Sequence, residues 1–224
     1  MTWVSNNLDL IVSLTVAHLR QSALPIILGL LLALPLGWLA FRFRRARGPI
    51  LVSSGLLYTV PSLALFAILP PLLGISFLSI ANLIIALTIY AVAIMVRSVA
   101  DALGSIDPDV RSAAVAMGYR PWRSFWSVEL PLAGPVILAG LRVAAVSTIS
   151  LATVGVLIGA ENLGYLFTNG LQRRIVPEVL AGVVAVMVIA LVIDLVLVIA
   201  GRMLMPWAPR RPDRKSKAER AMAS

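Results

Sequence analysis

Five membrane-length apolar runs, at about 22–41, 49–73, 78–96, 132–158 and 179–201, constrain this chain more than any other feature. A bilayer core about 30 Å thick is crossed by about 20 apolar residues of helix, and lipid offers no partner to an open backbone. The expected fold class is therefore an all-α membrane protein with about five transmembrane helices. Composition agrees, because 60% hydrophobic and 13% charged residues fall outside the range of soluble domains. One domain, 22–203, holds all five runs. Residues 1–21 read as an N-terminal interfacial helix feeding the first span, with His18 at headgroup level. Residues 204–224 read as a basic cytoplasmic tail.

Charge placement orients the runs. Apart from Arg20, Arg142, Arg173 and Arg174, all 19 Lys and Arg lie after the first run, between the third and fourth, or after the fifth. By the positive-inside rule those three segments are cytoplasmic, so the N-terminus is outside and the C-terminus inside. The net charge of +9 is accordingly a topology signal and no nucleic-acid footprint. Trp38 and Trp207, near cytoplasmic ends, suit an aromatic belt, and core packing explains them almost as well. The second run holds Tyr58, Pro61 and Ser62 near its middle and ends at Pro70-Pro71, so a kink or break is expected within it.

Catalytic machinery is not visible in the chain. There is no G-x4-G-K-[ST] loop, and Lys215 and Lys217, the lysines of the chain, both sit in the tail. With zero cysteines there is neither a disulfide nor a thiolate nucleophile. No carboxylate pair near a histidine offers hydrolytic chemistry, and no metal site is expected. Two ionisable residues do fall inside runs. Arg142 and Asp194 lie at similar depths, roughly 13 Å from the cytoplasmic face at helical rise, so they are expected to pair across adjacent helices. Alternatively Arg142 snorkels alone and Asp194 is protonated or wet. The hydroxyls of Ser147, Ser150 and Thr153 follow on the fourth run. With Tyr58 and Ser62 of the second run they outline a polar path, unless they bond back to their own helices.

The third and fourth runs are separated by a polar, basic loop, 97–131, that writes its own helix. Asp107 suits the N-cap, Pro108 the first helical position and Asp109 the first turn. Gly118 then stops the helix. Val110, Ala113, Ala114 and Met117 fall on one side at helical spacing, with Arg111 and Ser112 off it. Such a helix either lies on the headgroups or is read by a partner outside the bilayer.

The loop's spacing carries a resemblance that implies the second. Ser112-Ala113-Ala114, three residues, Gly118, nine residues, then Val128-Glu129-Leu130-Pro131 resembles the EAA loop of ABC-importer permeases. Ser112 stands where that family usually has Glu, and Val128 where it has Ile. Thr59-Val60-Pro61-Ser62-Leu63-Ala64-Leu65, Ser105-Ile106-Asp107-Pro108, Val136 through Arg142, and Ile158-Gly159-Ala160 resemble the permeases of osmoprotectant importers. Those importers carry glycine betaine, choline, carnitine and related quaternary amines. Glu161-Asn162-Leu163-Gly164 departs from their Gly-Gly-Leu-Gly.

What the resemblance implies is a type I permease in a bacterial-type inner membrane. Its partners would be a second permease subunit, identical or not, cytoplasmic ABC ATPases that bind ATP and Mg, and an extracytoplasmic substrate-binding protein. The chain itself would be neither an enzyme nor a cofactor carrier. Asp107, Val110, Arg111, Ser112, Ala113, Ala114, Met117, Gly118 and Arg120 would form the cytoplasmic coupling helix and its flanks. A permease for another small solute such as an amino acid, an ion-driven carrier and a membrane anchor subunit are the alternative readings.

Overall fold

The computed structural model describes residues 2–208, and these are helical almost throughout. A short helix α1 (Thr2–Asn6) precedes α2 (Leu8–Arg42), α3 (Arg44–Thr59), α4 (Ser62–Leu73) and α5 (Ile80–Gly104). Next come α6 (Pro108–Ala116) and α7 (Pro121–Ser124), which a π-helical turn, Phe125–Glu129, joins to α8 (Leu130–Ala152). α8 tightens into a 3-10 segment, Thr153–Ile158, and α9 (Gly164–Gln172) and α10 (Val176–Leu204) follow. The tail's Arg210, Arg211, Arg214, Lys215, Lys217 and Arg220 lie outside the described residues.

Among the described residues four stretches are long and apolar enough to cross a bilayer: Leu8–Arg42, Ile80–Gly104, Pro121–Ile158 and Val176–Leu204. Where the second span is expected, α3 and α4 meet at a bend of 110°, the geometry of either a broken span or a re-entrant loop. The cause is local. Pro61 has no N–H to continue the helix and biases Val60 towards extended backbone, found here at φ −64° and ψ 128°. Pro70 and Pro71, by contrast, stay within α4, which stops at Gly74 with φ +66°.

The start of the chain requires a correction. No boundary falls between residues 21 and 22; α2 runs unbroken through 35 residues, about 50 Å at helical rise. Asp9 does not interrupt it, because it sits in the first turn, where a carboxylate suits the macrodipole. His18, expected at the interface, is not exposed there to water or headgroups. It is fully buried against α8.

α5 is the axis of the packing. Its Leu83, Met95, Val96, Val99 and Leu103 are fully buried, with α2, α3 and α8 laid against it. α2 approaches closely enough that a Cβ added to Gly37 would lie 2.5 Å from Val99 Cβ, the small-residue contact by which membrane helices gain dispersion energy. α10 is the opposite case. It buries only Glu178, Gly182, Ile189 and Gly201, and its exposed Leu191, Val192 and Leu195 need lipid or another subunit to cover them.

Candidate functional site

Two regions carry the sequence's polar signals, and the loop 97–131 is the better defined. Asp107 caps α6, its Oδ1 accepting from the Asp109 N–H at 2.9 Å, and Pro108 occupies the first turn. At the other end Gly118 adopts φ +81°. The Gly118 N–H donates to the Val115 carbonyl at 2.9 Å and the Tyr119 N–H to the Ala114 carbonyl at 3.1 Å. This pair of bonds is the left-handed stop that favours glycine.

The two faces of α6 divide differently from the sequence expectation. Ala114, placed on the partner-facing side, is fully buried against the chain's own body. Arg111 also turns inwards: its guanidinium sits 4.5 Å above the Phe41 ring, donates to the Leu103 carbonyl, and lies 3.7 Å from Glu129 Oε2. Glu129 in turn accepts from Ser124 Oγ at 3.1 Å. Arg111, Ala114 and Glu129 therefore seat the loop. Val110, Ser112, Ala113, Met117 and Arg120 remain outward, joined by Val115, which is 68% exposed. The reason is angular: residues 111 and 114 are one turn apart, and the arginine's cation is drawn to Phe41 and Glu129. The Ser112 hydroxyl donates to the Pro108 carbonyl of its own helix at 3.1 Å.

The second region is an open groove of about 500 Å³. Tyr58, Val60 and Ser62 from the break between α3 and α4 line it together with Tyr90 of α5 and with Ser147 and Ser150 of α8. Four of the five expected path residues thus meet. Thr153 does not line the groove, because its hydroxyl donates to the Ser150 carbonyl at 2.7 Å. Below the groove, Arg142 and Asp194 meet in a two-pronged pair, Nε to Oδ1 at 2.6 Å and Nη2 to Oδ2 at 2.7 Å. Each charge is thereby paired with its opposite through two charge-assisted hydrogen bonds. Among the described residues no cluster of three or more His, Cys, Asp or Glu could hold a metal ion.

Residues 19–208 match the family described as binding-protein-dependent transport system inner membrane component. The chain belongs to that family. Among similar members, the osmoprotectant import permease protein OsmW of Salmonella typhimurium is 34% identical, over 86% of this chain and 90% of its own. The choline transport system permease protein OpuBB of Bacillus subtilis is 34% identical, over 88% of this chain and 89% of its own. Among solved structures, an inward-facing MetNI methionine ABC transporter superposes with a TM-score of 0.74 at 21% identity, over 91% of this chain and 98% of that one. It shares the fold. As a family member the chain is thus the membrane component of a transport system.

Two sets of residues escaped the sequence reading. Tyr90 donates its hydroxyl to the Val60 carbonyl at 2.5 Å, supplying the donor that the broken helix lacks. A buried polar chain also ties α2 to the far end of α8. The Thr153 N–H turns to the Ser150 carbonyl where the helix tightens, which frees the Ile149 carbonyl, and His18 Nε2 lies 3.0 Å from it. Asn162 Nδ2 donates to Gln21 Oε1 and to the Ala152 carbonyl, both at 2.9 Å. Gln21 Nε2 donates to the Glu161 carbonyl at 2.9 Å. Asn162 stood out in the sequence only as a departure from Gly-Gly-Leu-Gly, and His18 as a lone polar residue in an apolar stretch.

Proposed function

We propose that this chain is the permease subunit of an ATP-driven importer for osmoprotectants: glycine betaine, choline, carnitine or related quaternary amines. The observation that carries the reading is the seating of α6. A nine-residue helix, capped at both ends and pinned from behind by Arg111 and Ala114, presents Val110, Ala113, Val115 and Met117 to the outside. That is an apolar hook that none of the described residues covers. The solute class is supported by OsmW and OpuBB, whose names state osmoprotectant and choline transport.

In this reading ATP and Mg are held by cytoplasmic ATPases, which close and pull α6 of each permease. A second permease subunit completes the passage, and an extracytoplasmic binding protein delivers the solute. Tyr58, Ser62, Ser147 and Ser150 line the route. Hydrolysis belongs to the partner, and this chain converts the movement into alternating access. The N-terminus lies outside and α6 in the cytoplasm. An ion-driven carrier is less well supported, because its natural midplane charges, Arg142 and Asp194, are engaged with each other.

The test is ATP-dependent uptake of labelled glycine betaine, choline and carnitine into proteoliposomes holding the chain with its ATPase and binding protein. Uptake of at least one, lost when ATP is omitted, is the expected result. Uptake of amino acids alone would move the assignment to another solute, and ATP-independent uptake would overturn it.

A further inference from the structure

The groove at the helix break has a chemistry more specific than a polar path requires. Tyr58 and Tyr90 stand edge to face, centroids 6.3 Å apart and planes at 83°. Tyr90 is almost fully buried and fixed by its bond to Val60, whereas Tyr58 is 51% exposed. Tyr58 and Val60 also mark the C-terminal end of α3, where unsatisfied carbonyls give a helix its partial negative charge. The remaining polar lining is hydroxyl, from Ser62, Ser147 and Ser150, and no Asp, Glu, Lys or Arg is among the lining residues.

These features favour one kind of cation. A primary ammonium entering the groove would find hydroxyl acceptors for its three N–H donors but no carboxylate to balance its charge. A quaternary ammonium has no N–H to satisfy, and its methyl groups suit an aromatic surface, to which its charge is drawn by the ring quadrupole. The negative end of α3 adds to that attraction. We infer that Tyr58, backed by Tyr90, forms a transit site for the quaternary ammonium group inside the permease. The site is half built, since the groove is open on one side, and the facing subunit of the assembled transporter supplies the rest. This inference rests on the solute class proposed above and deepens it: the permease itself contacts the solute.

The same chemistry occurs in choline-headgroup lipids, so the experiment separates the two sources. The permease with its bound ATPase, without binding protein, is placed in nanodiscs of phosphatidylethanolamine and phosphatidylglycerol, and choline is followed by broadening of its trimethylammonium proton resonance. Broadening is expected with wild type and with Tyr58→Phe, which keeps the ring. Tyr58→Leu, similar in bulk but without the ring, is expected to weaken the apparent affinity about tenfold. Equal broadening for wild type and Tyr58→Leu overturns the inference. So does loss of the wild-type signal in phosphatidylcholine nanodiscs, which would assign the groove to lipid.

Uptake by the complete transporter separates this site from the reading beneath it. At saturating loaded binding protein, Tyr58→Leu is expected to lower the maximal rate of choline uptake several-fold more than Tyr58→Phe, with unchanged amounts of assembled complex. Wild-type uptake of quaternary amines together with an unaffected Tyr58→Leu would remove the transit site alone. No wild-type uptake of any quaternary amine would remove the proposed function, and the transit site with it.

Discussion

At hydrocarbon depth neither Arg142 nor Asp194 stands well without the other, since an unpaired charge there costs several kcal/mol on insertion scales. Their two bonds make α8 and α10 a single unit at that level. Arg142→Leu and Asp194→Leu are therefore each expected to lower the thermal midpoint of the detergent-purified protein, and the double variant to recover most of the loss, since it leaves no orphan charge. Two equal and additive losses would show that the residues act independently. Tyr90 makes a neutral contact of smaller consequence. Tyr90→Phe removes the donor to the Val60 carbonyl, and a cost of about 1 kcal/mol is expected in a denaturation series. Sequence could suggest the ion pair, because two charges at matching depth invite pairing. It could not suggest Tyr90, because nothing along the chain says which tyrosine lies beneath a break some 30 residues earlier.

α6 shows how an element's ends and its faces are decided by different forces. Its caps are local chemistry: Asp107 and Pro108 begin it and Gly118 ends it, and all three were legible in order along the chain. Gly118→Val would force a β-branched residue to φ +81°, at about 1–2 kcal/mol for the left-handed backbone. ATP-driven uptake should fall sharply while membrane yield stays near wild type, measured on the same preparation. Met117→Asp places a charge on the exposed apolar face, and loss of the copurifying ATPase with retained insertion is the expected result. An ATPase that still copurifies in full would place its contact elsewhere. Which face looks outward was not legible, because Arg111 is turned inwards by Phe41 of α2 and Glu129 of the π-helical turn, distant in sequence, and Ala114 is buried one turn further along the same side. The break between α3 and α4 follows the same division. Pro61 makes a bend local, but its 110° magnitude depends on where α4 packs.

Orientation belongs to the whole molecule, and the absence of cysteine makes it directly measurable. Gly48→Cys, at a position where an added Cβ meets nothing within 4 Å, should react with a membrane-impermeant maleimide only from the cytoplasmic side. Leu171→Cys, on exposed α9, should react only from the outside. The reverse pattern would invert the assignment and put α6 out of reach of any cytoplasmic ATPase. At this scale the buried chain through His18, Gln21 and Asn162 matters as well, since it fixes the loop before α9 to α2 and to the end of α8 that lines the groove.

The apolar runs and the spaced loop motif settled the class of the protein and the presence of a capped helix between the third and fourth runs. Each of those follows from local backbone satisfaction and from the cost of charge in lipid, which a sequence states directly. Only the structure showed that residues 8–21 continue the helix of the first run, that His18 is buried beneath a carbonyl freed by a tightened helix end, that Ala114 seats the loop and does not face outward, and that Tyr90 joins Tyr58 at the groove. Those outcomes depend on which helix faces meet across the bundle. An apolar residue reads the same in a sequence whether its neighbour is lipid or another helix.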